Sequence, residues 1–344
     1  MRRPLVLPRL VLICSVLFAP AVHAQNAARS AAPAASVESR DAQQMLRRAQ
    51  TAAERLNYAG TFVYQQGSQV RTSRITHVLD GRTELEKLEL LDGRPREYIR
   101  TNDEIVSYLP ESRTMLVEKR VIHDVFPGII GASPAELAAY YTIRKGGPGR
   151  IAGFEADAIL LQPKDKLRYG YALWAERASG LLLRAQTIGE NGEVVEQIMF
   201  TQLEIGGIDR SRVRPSVGNT RGWRVENVVL PATDLSSWVV PGVPPGFDRI
   251  RELRRMVADA GTGDGSAAGS AQRQVAQIVF SDGLSSISVF IEPASRSRTE
   301  GSVRQGAMNI VGKRQGEFWL TIVGEVPSEA IRKVASSVEF RPAK

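Results

Sequence analysis

The sequence predicts a mainly β, α+β protein in two parts. The first is a large, strongly curved antiparallel sheet with helices against its concave side; the second is a smaller antiparallel sheet carrying a helix. Three observations carry this. Over residues 60–120, short strand-like runs alternate with turn signals such as Asp80-Gly81, Asp92-Gly93 and Pro110-Glu111-Ser112 at nearly even spacing, the pattern of a meander rather than a parallel sheet. Over 165–207, three more strands are joined by two polar, Gly-bearing turns, and one of these holds Asn191-Gly192, a pair that tolerates positive φ at both positions of a tight hairpin. Helical spacing, by contrast, is confined to a few short stretches.

At the N-terminus, Arg2 and Arg3, the apolar run 10–18 and the small-residue site Val22-His23-Ala24 describe a secretory signal peptide over 1–24, cleaved near Ala24. The run is shorter than the about 20 apolar residues a spanning anchor needs. Cys14 lies inside it after Ile13, a poor setting for lipidation, so the mature chain is expected to have no cysteine. Residues 25–40, rich in Ala and Ser, read as a flexible leader. Met45, Leu46, Ala49, Ala52, Ala53 and Leu56 then recur at helical spacing up to Asn57 and predict an amphipathic helix that packs on the sheet. Ser133-Pro134-Ala135-Glu136 is a capping box with Pro at the first helical position, so a helix is predicted to about Tyr141, followed by a basic Gly-rich loop over 144–149. In the stretch 165–207, Leu167, Tyr169, Tyr171 and Leu173 are predicted on one face of the first strand, and Arg168, Gly170, Ala172, Trp174 and Glu176 on the other.

The first domain is expected over 41–205 and a Gly/Pro-bearing linker over 206–220. The second domain, 221–344, opens with a strand at 223–229 and closes with a helix after Pro327 that buries Ile331, Val334, Ala335 and Val338. Its stretch 260–271 reads as a disordered loop.

Composition narrows the function. With 43% hydrophobic and 24% charged residues the chain is ordinarily globular. The formal charge of +8 falls by three when Arg2, Arg3 and Arg9 leave with the signal, and in an exported protein a basic surface points to acidic partners or anionic head groups, not to nucleic acid. His77 and His123 are too few and too far apart for a zinc site. Neither a Gly-x-Ser-x-Gly elbow nor a complete phosphate loop occurs, and Glu84, Glu86 and Glu89 read as a solvated strand face. No catalytic residue, metal or cofactor is therefore assigned, and an enzyme is not the expectation.

What stands out is apolar. Phe62, Tyr64, Tyr108, Phe126, Ile129, Ile130, Tyr169 and Tyr171 either fill an ordinary core or line a concavity for acyl chains, with Arg96, Arg100, Lys119, Arg120, Arg144 and Lys145 available to head groups. In the second domain Arg249, Arg251, Arg254 and Arg255 follow the loop Pro244-Pro245-Gly246-Phe247, a basic patch beside an aromatic that suits an acidic partner segment.

The runs Tyr58-Ala-Gly-Thr-Phe-Val-Tyr, Tyr169-Gly-Tyr-Ala-Leu-Trp, Ser179-Gly-Leu-Leu-Leu and Gln197-Ile-Met-Phe-Thr, with Pro244-Pro-Gly-Phe, Phe280-Ser-Asp-Gly-Leu-Ser-Ser-Ile-Ser-Val-Phe and Val323-Gly-Glu-Val-Pro in the second part, resemble the RseB/MucB family of periplasmic regulators. The resemblance runs in order over essentially the whole mature chain. It implies a LolA/LolB-like half-open β-barrel with helices, a smaller C-terminal α/β domain, and a place in the periplasm. It further implies binding to the periplasmic segment of an RseA/MucA-like anti-sigma factor, shielding of that segment from a site-1 protease, and release on binding lipid or lipopolysaccharide. Homo-oligomers are possible on this reading. A periplasmic lipid or lipoprotein carrier is the alternative.

Overall fold

The computed structural model describes residues 23–119, 126–228, 234–258, 272–294 and 298–341. The chain divides into two compact units, Met1–Glu38 and Ser39–Lys344. The described part of the first is the leading stretch of helix α1 (His23–Arg55). The second unit holds both sheets.

Strands β1 (Tyr58–Gln66), β2 (Gln69–Asp80), β3 (Thr83–Leu90), β4 (Arg96–Thr101), β5 (Glu104–Leu109) and β6 (Thr114–Lys119) form the predicted meander. After α2 (Pro134–Tyr140) come β7 (Tyr141–Ile151), β8 (Phe154–Pro163), β9 (Gly170–Glu176), β10 (Leu182–Ile188) and β11 (Val194–Ile205). β11 pairs with β1, which fuses the two meanders, and β12 (Arg224–Val228) adds to the far edge beside β6. The result is one open sheet in the order β12-β6-β5-β4-β3-β2-β1-β11-β10-β9-β8-β7. All its pairings are antiparallel except β12 with β6.

Alternation sends Phe62, Ile159, Leu161, Leu173, Leu183, Ala185 and Phe200 to one buried cluster. There α1 lays Ala42, Leu46, Ala49 and Ala52, which recur at three- and four-residue steps and so share one helix face. The small alanine side chains let the helix backbone come close to the strands, and Phe62, Phe126 and Phe200 pack ring to ring at 5.0–6.1 Å. At α2 the predicted box forms: the Glu136 backbone N–H donates to Ser133 Oγ (3.3 Å) and the Ser133 N–H to Glu136 Oε2 (2.8 Å).

The smaller sheet contains β14 (Asp248–Ala258), β15 (Gln272–Ser281), β16 (Ser286–Pro293), β17 (Gly301–Gln305), β18 (Met308–Gln315) and β19 (Phe318–Gly324), ordered β14-β15-β16-β19-β18-β17. Helix α3 (Ser328–Ser337) buries Ala330, Ile331 and Val334 in a cluster with Ile287, Leu320 and Ile322. A short ladder of β13 (Trp238–Val239) and β20 (Glu339–Phe340) flanks it.

Several expectations change. Residues 25–40, read as a flexible leader, are helical from His23 onward, in keeping with their many alanines, the best helix formers. The expected loop at 144–149 is part of β7, where a bulge between Lys145 and Pro148 absorbs its glycines and proline. The first strand of 165–207 begins at Gly170, so Leu167, Arg168 and Tyr169 precede it and do not follow its alternation. The segment 206–220, read as a linker, lies on the sheet: Ile208 and Val213 are buried with Ala59, Val78 and Leu85, and Ser216 Oγ accepts from Lys87 Nζ at 2.6 Å. The strand expected to open the second domain is β12 of the large sheet, because an edge strand carries no sequence mark of which sheet it joins. The expected loop at 260–271 and most of the signal peptide lie outside the described residues.

Candidate binding site

Where the large sheet meets the small one, the contact is made by turns. Asp282, in the turn between β15 and β16, accepts the Leu284 and Ser285 N–H groups on Oδ1 (3.0 and 2.9 Å). Its Oδ2 is left for the large sheet, where it accepts from Tyr141 OH and Arg168 Nη1, both at 3.1 Å. Arg168 is wholly buried; its Nε reaches Asp165 and its Nη2 donates to the Pro245 carbonyl at 2.5 Å. The rings of Tyr140, Tyr141 and Phe247 surround the guanidinium at 4.7–5.6 Å. Burial pushes the Tyr141 and Tyr171 hydroxyls up, and the Asp282 carboxylate adds to both. Every polar group of this centre is paired, which is what makes a buried charge tolerable.

Two glycines fit the turns to the sheet. Gly283 has φ +85°, and a Cβ there would lie 2.2 Å from Ala132 Cβ, while its carbonyl accepts the Gly131 N–H at 2.7 Å. Gly246 has φ +83°, and a Cβ there would lie 2.2 Å from Tyr140 Cε2. A second polar junction lies alongside. Asn309 Nδ2 donates to Tyr169 OH (3.2 Å) and the Val326 carbonyl (2.8 Å), and Glu196 accepts from Gln66 and from the Ala307 N–H.

The residues predicted to line an acyl groove do not form one open surface. Phe62, Phe126 and Ile130 are buried in the main core, with Ile129 packed against it. Tyr169 and Tyr171 are buried at the junction of the sheets, Tyr171 with its ring 6.2 Å from that of Tyr141. Tyr64 is half-buried and hydrogen-bonded to Glu196, and burial with that carboxylate raises its hydroxyl pKa. Tyr108 is elsewhere: it pairs with Glu97 and Met115, opposite in parity to the residues facing α1, and meets Trp223 edge-on at 6.4 Å. Strand alternation puts the half-buried Leu88, Tyr98, Ser107 and Leu116, which follow one another in register from Ile75, on the core-facing side of β3–β6. Of these, Leu88, Tyr98 and Leu116 are apolar positions that the sequence alone does not group; only tracking register across four strands finds them.

The arginine patch disperses. Arg249 clamps its own domain, donating to the Leu235 and Trp238 carbonyls (3.0 and 3.1 Å) and pairing with Glu252 at 2.7 Å. Phe247 is buried in the core of the small domain. Arg251 is half-buried and Arg254 exposed, on alternate faces of β14; the Arg255 side chain lies outside the described residues. Four arginines in seven strand positions cannot face one way when the side-chain period is two. Arg168 and Asp282, by contrast, were not singled out as a site, and no spacing in the sequence links two residues so far apart.

Elsewhere on the large sheet, charge is concentrated beneath α1. His77 is fully buried, stacked on Tyr58 at 4.9 Å, and contacts the Leu56 carbonyl (2.7 Å) and Glu84 (3.0 Å) through its two ring nitrogens. Burial raises the Glu84 pKa, but hydrogen bonds from His77 and Arg100 outweigh it and hold the carboxyl well below the usual range. Glu84 is thus one of a paired set with Glu86 and Arg100, not a solvated face. It also borders an open polar cleft of about 420 Å³ with Glu54, Arg55 and Asn102, which none of the predicted acyl-groove residues lines.

Comparison with known proteins gives a consistent picture. The profile of the MucB/RseB N-terminal domain matches residues 41–217 and that of the MucB/RseB C-terminal domain residues 232–339. The chain is 30% identical over 319 residues to the sigma factor AlgU regulatory protein MucB of Pseudomonas aeruginosa, covering 88% of this chain and 92% of that one. It is 26% identical to the sigma-E factor regulatory protein RseB of Haemophilus influenzae, covering 89% and 94%. Among solved structures, the Pseudomonas aeruginosa MucA/MucB complex is similar with a TM-score of 0.68 and 27% identity, over 88% of this chain and all of that one. MucB in complex with MucA(peri) gives 0.66 at the same identity and coverage.

Proposed function

Because this chain belongs to the MucB/RseB family, we propose that it is an exported, periplasmic negative regulator of an envelope-stress sigma factor, acting by binding the periplasmic segment of a membrane-bound anti-sigma factor. The observation that carries this is the likeness, over both domains, to a relative solved with the periplasmic part of its anti-sigma partner. Regulation then needs no chemistry. A segment held on the regulator cannot enter a protease cleft in extended form, so binding lowers the cleavable fraction by mass action. The buried joint of Arg168, Asp282 and Tyr141 supports this, since it holds surfaces of both domains in one frame for a partner to span.

Release by lipid is the second element of the proposal. The half-buried Leu88, Tyr98 and Leu116, in register on the core-facing side of β3–β6, favour it, as apolar surface only partly covered. A lipid that shifts the partner's affinity tenfold must bind the free form better by about 1.4 kcal/mol. The test is protection of the purified anti-sigma segment from its site-1 protease by the full chain, with and without lipopolysaccharide. Protection reversed by lipid is expected. Cleavage at the same rate with and without the regulator would remove the regulatory reading and leave the lipid carrier, for which organic-solvent extraction of the purified protein should release bound lipid.

A further inference from the structure

On β10, Leu183 and Ala185 face the main core, so Arg184 between them faces the opposite side of the sheet. Its guanidinium carbon lies 3.5 Å from the centre of the Trp174 ring, its cross-strand neighbour on β9. Arg184 Nε is buried and has no hydrogen-bond partner among the described residues. Burial disfavours its charge, and no acidic neighbour offsets this. Other partly or wholly buried arginines have one: Arg100 has Glu84 and Glu86, Arg168 has Asp165 and Asp282, and Arg298 has Glu292.

The surroundings are those of a contact surface. Met199 pairs with Arg184 on one side, and Leu160 and Val63 share the face; all three are half-buried. Gln186 and Gln197, hydrogen-bonded to each other at 2.5 Å, follow along the same two strands. Trp, Arg and Met are the side chains enriched where proteins meet, and a planar guanidinium stacked on an aromatic is preset for a carboxylate. An anionic membrane surface, by contrast, is read by clusters of about 4–8 cations.

We propose that this outer face, centred on the Arg184–Trp174 stack, is a docking surface for the anti-sigma segment, receiving one of its carboxylates between apolar side chains. The inference rests on the proposed function above and adds to it a contact on the large domain, away from the predicted patch at Arg249–Arg255.

The experiment is a titration of the full exported chain with the purified periplasmic segment, read by fluorescence anisotropy. Wild type is expected to bind, Arg184→Gln to weaken binding about tenfold or more with an unfolding midpoint near wild type, and Trp174→Leu, whose ring also packs against the main core, to weaken it severalfold, in line with arginine and tryptophan hot spots. Gln186→Glu, which offers Arg184 an internal acid, is expected to weaken binding too, and serves should Arg184→Gln fail to fold. Unchanged affinity in Gln186→Glu and in whichever Arg184 and Trp174 variants fold overturns the inference alone. So does a loss in Arg184→Gln confined to phosphatidylglycerol vesicle binding or to self-association in sedimentation. A wild-type chain that does not bind the segment overturns this inference and the proposed function together.

Discussion

The two ends of the large sheet are built differently. At the β7–β9 end, together with α2, the sheet meets the small domain through a buried ion pair, tyrosine hydroxyls and two glycine turns that tolerate no added methyl. At the other end, β4, β5 and β6 are mostly half-buried and the edge strand β12 is largely exposed, joined by parallel backbone pairing. One end is fixed by side-chain chemistry that has a single solution. The other is held mainly by the strand ladder, which leaves it freer to open or to change partner at low cost. The proposed regulatory role has use for both a fixed frame and a less constrained surface.

The largest effect is expected at the joint. Asp282→Ala takes from buried Arg168 one of its two carboxylates, leaving Asp165, and should cost about 3 kcal/mol in denaturant unfolding; a loss below about 1 kcal/mol would erase the contrast between the ends. Gly283→Ala keeps the ion pair but brings a methyl against Ala132 from a left-handed backbone, for about 2 kcal/mol. Scattering at small angles should show the two domains less tightly held.

Glu84 sharpens the comparison, because it anchors an ion cluster at β2–β4, away from the joint. Its carboxyl is held down in the fold, so its contribution is complete above the ordinary glutamate pKa of about 4.3 and is lost as pH falls through the lower folded value. Glu84→Gln should therefore cost about 1.5 kcal/mol at neutral pH, with the gap to wild type narrowing below about pH 4. A gap that is constant with pH would assign the loss to packing. The smallest effect is expected at the edge: Arg224→Pro removes the bond from its N–H to the Arg113 carbonyl (2.9 Å) and should change global stability by less than about 1 kcal/mol, while amide exchange in β6 speeds up.

Much of the fold was legible. The meander, the capped α2 and the closing helix follow from turn chemistry and period, which act over a few residues; the hairpin at Asn191-Gly192 forms too, but as a longer connection between Ile188 and Val194 in which Gly192 alone of the pair has positive φ. The predicted sites fared less well. Phe62, Phe126 and Ile130 read as apolar, but whether an apolar side chain lines a groove or fills a core depends on what packs over it, here the alanine face of α1. Tyr108 was grouped with them by type and separated by strand parity. Phe247 and Arg249 were read as a partner loop and are spent on the small domain's own core and turns, because a guanidinium that clamps its own domain and one that faces a partner are written with the same letter.

The sequence by itself determined most of the elements and the family, since these rest on local preferences and on motif order along the chain, but not β14, β17 or the helix over the leader. Tertiary structure alone decided which sheet β12 joins, which way each tyrosine faces, and that Arg168 and Asp282, 114 positions apart, share one buried centre. The physical reason is range. Turn and helix preferences are set by neighbours in the chain, whereas burial and charge pairing are set by neighbours in space, and those exist only after the sheet has packed against its helix.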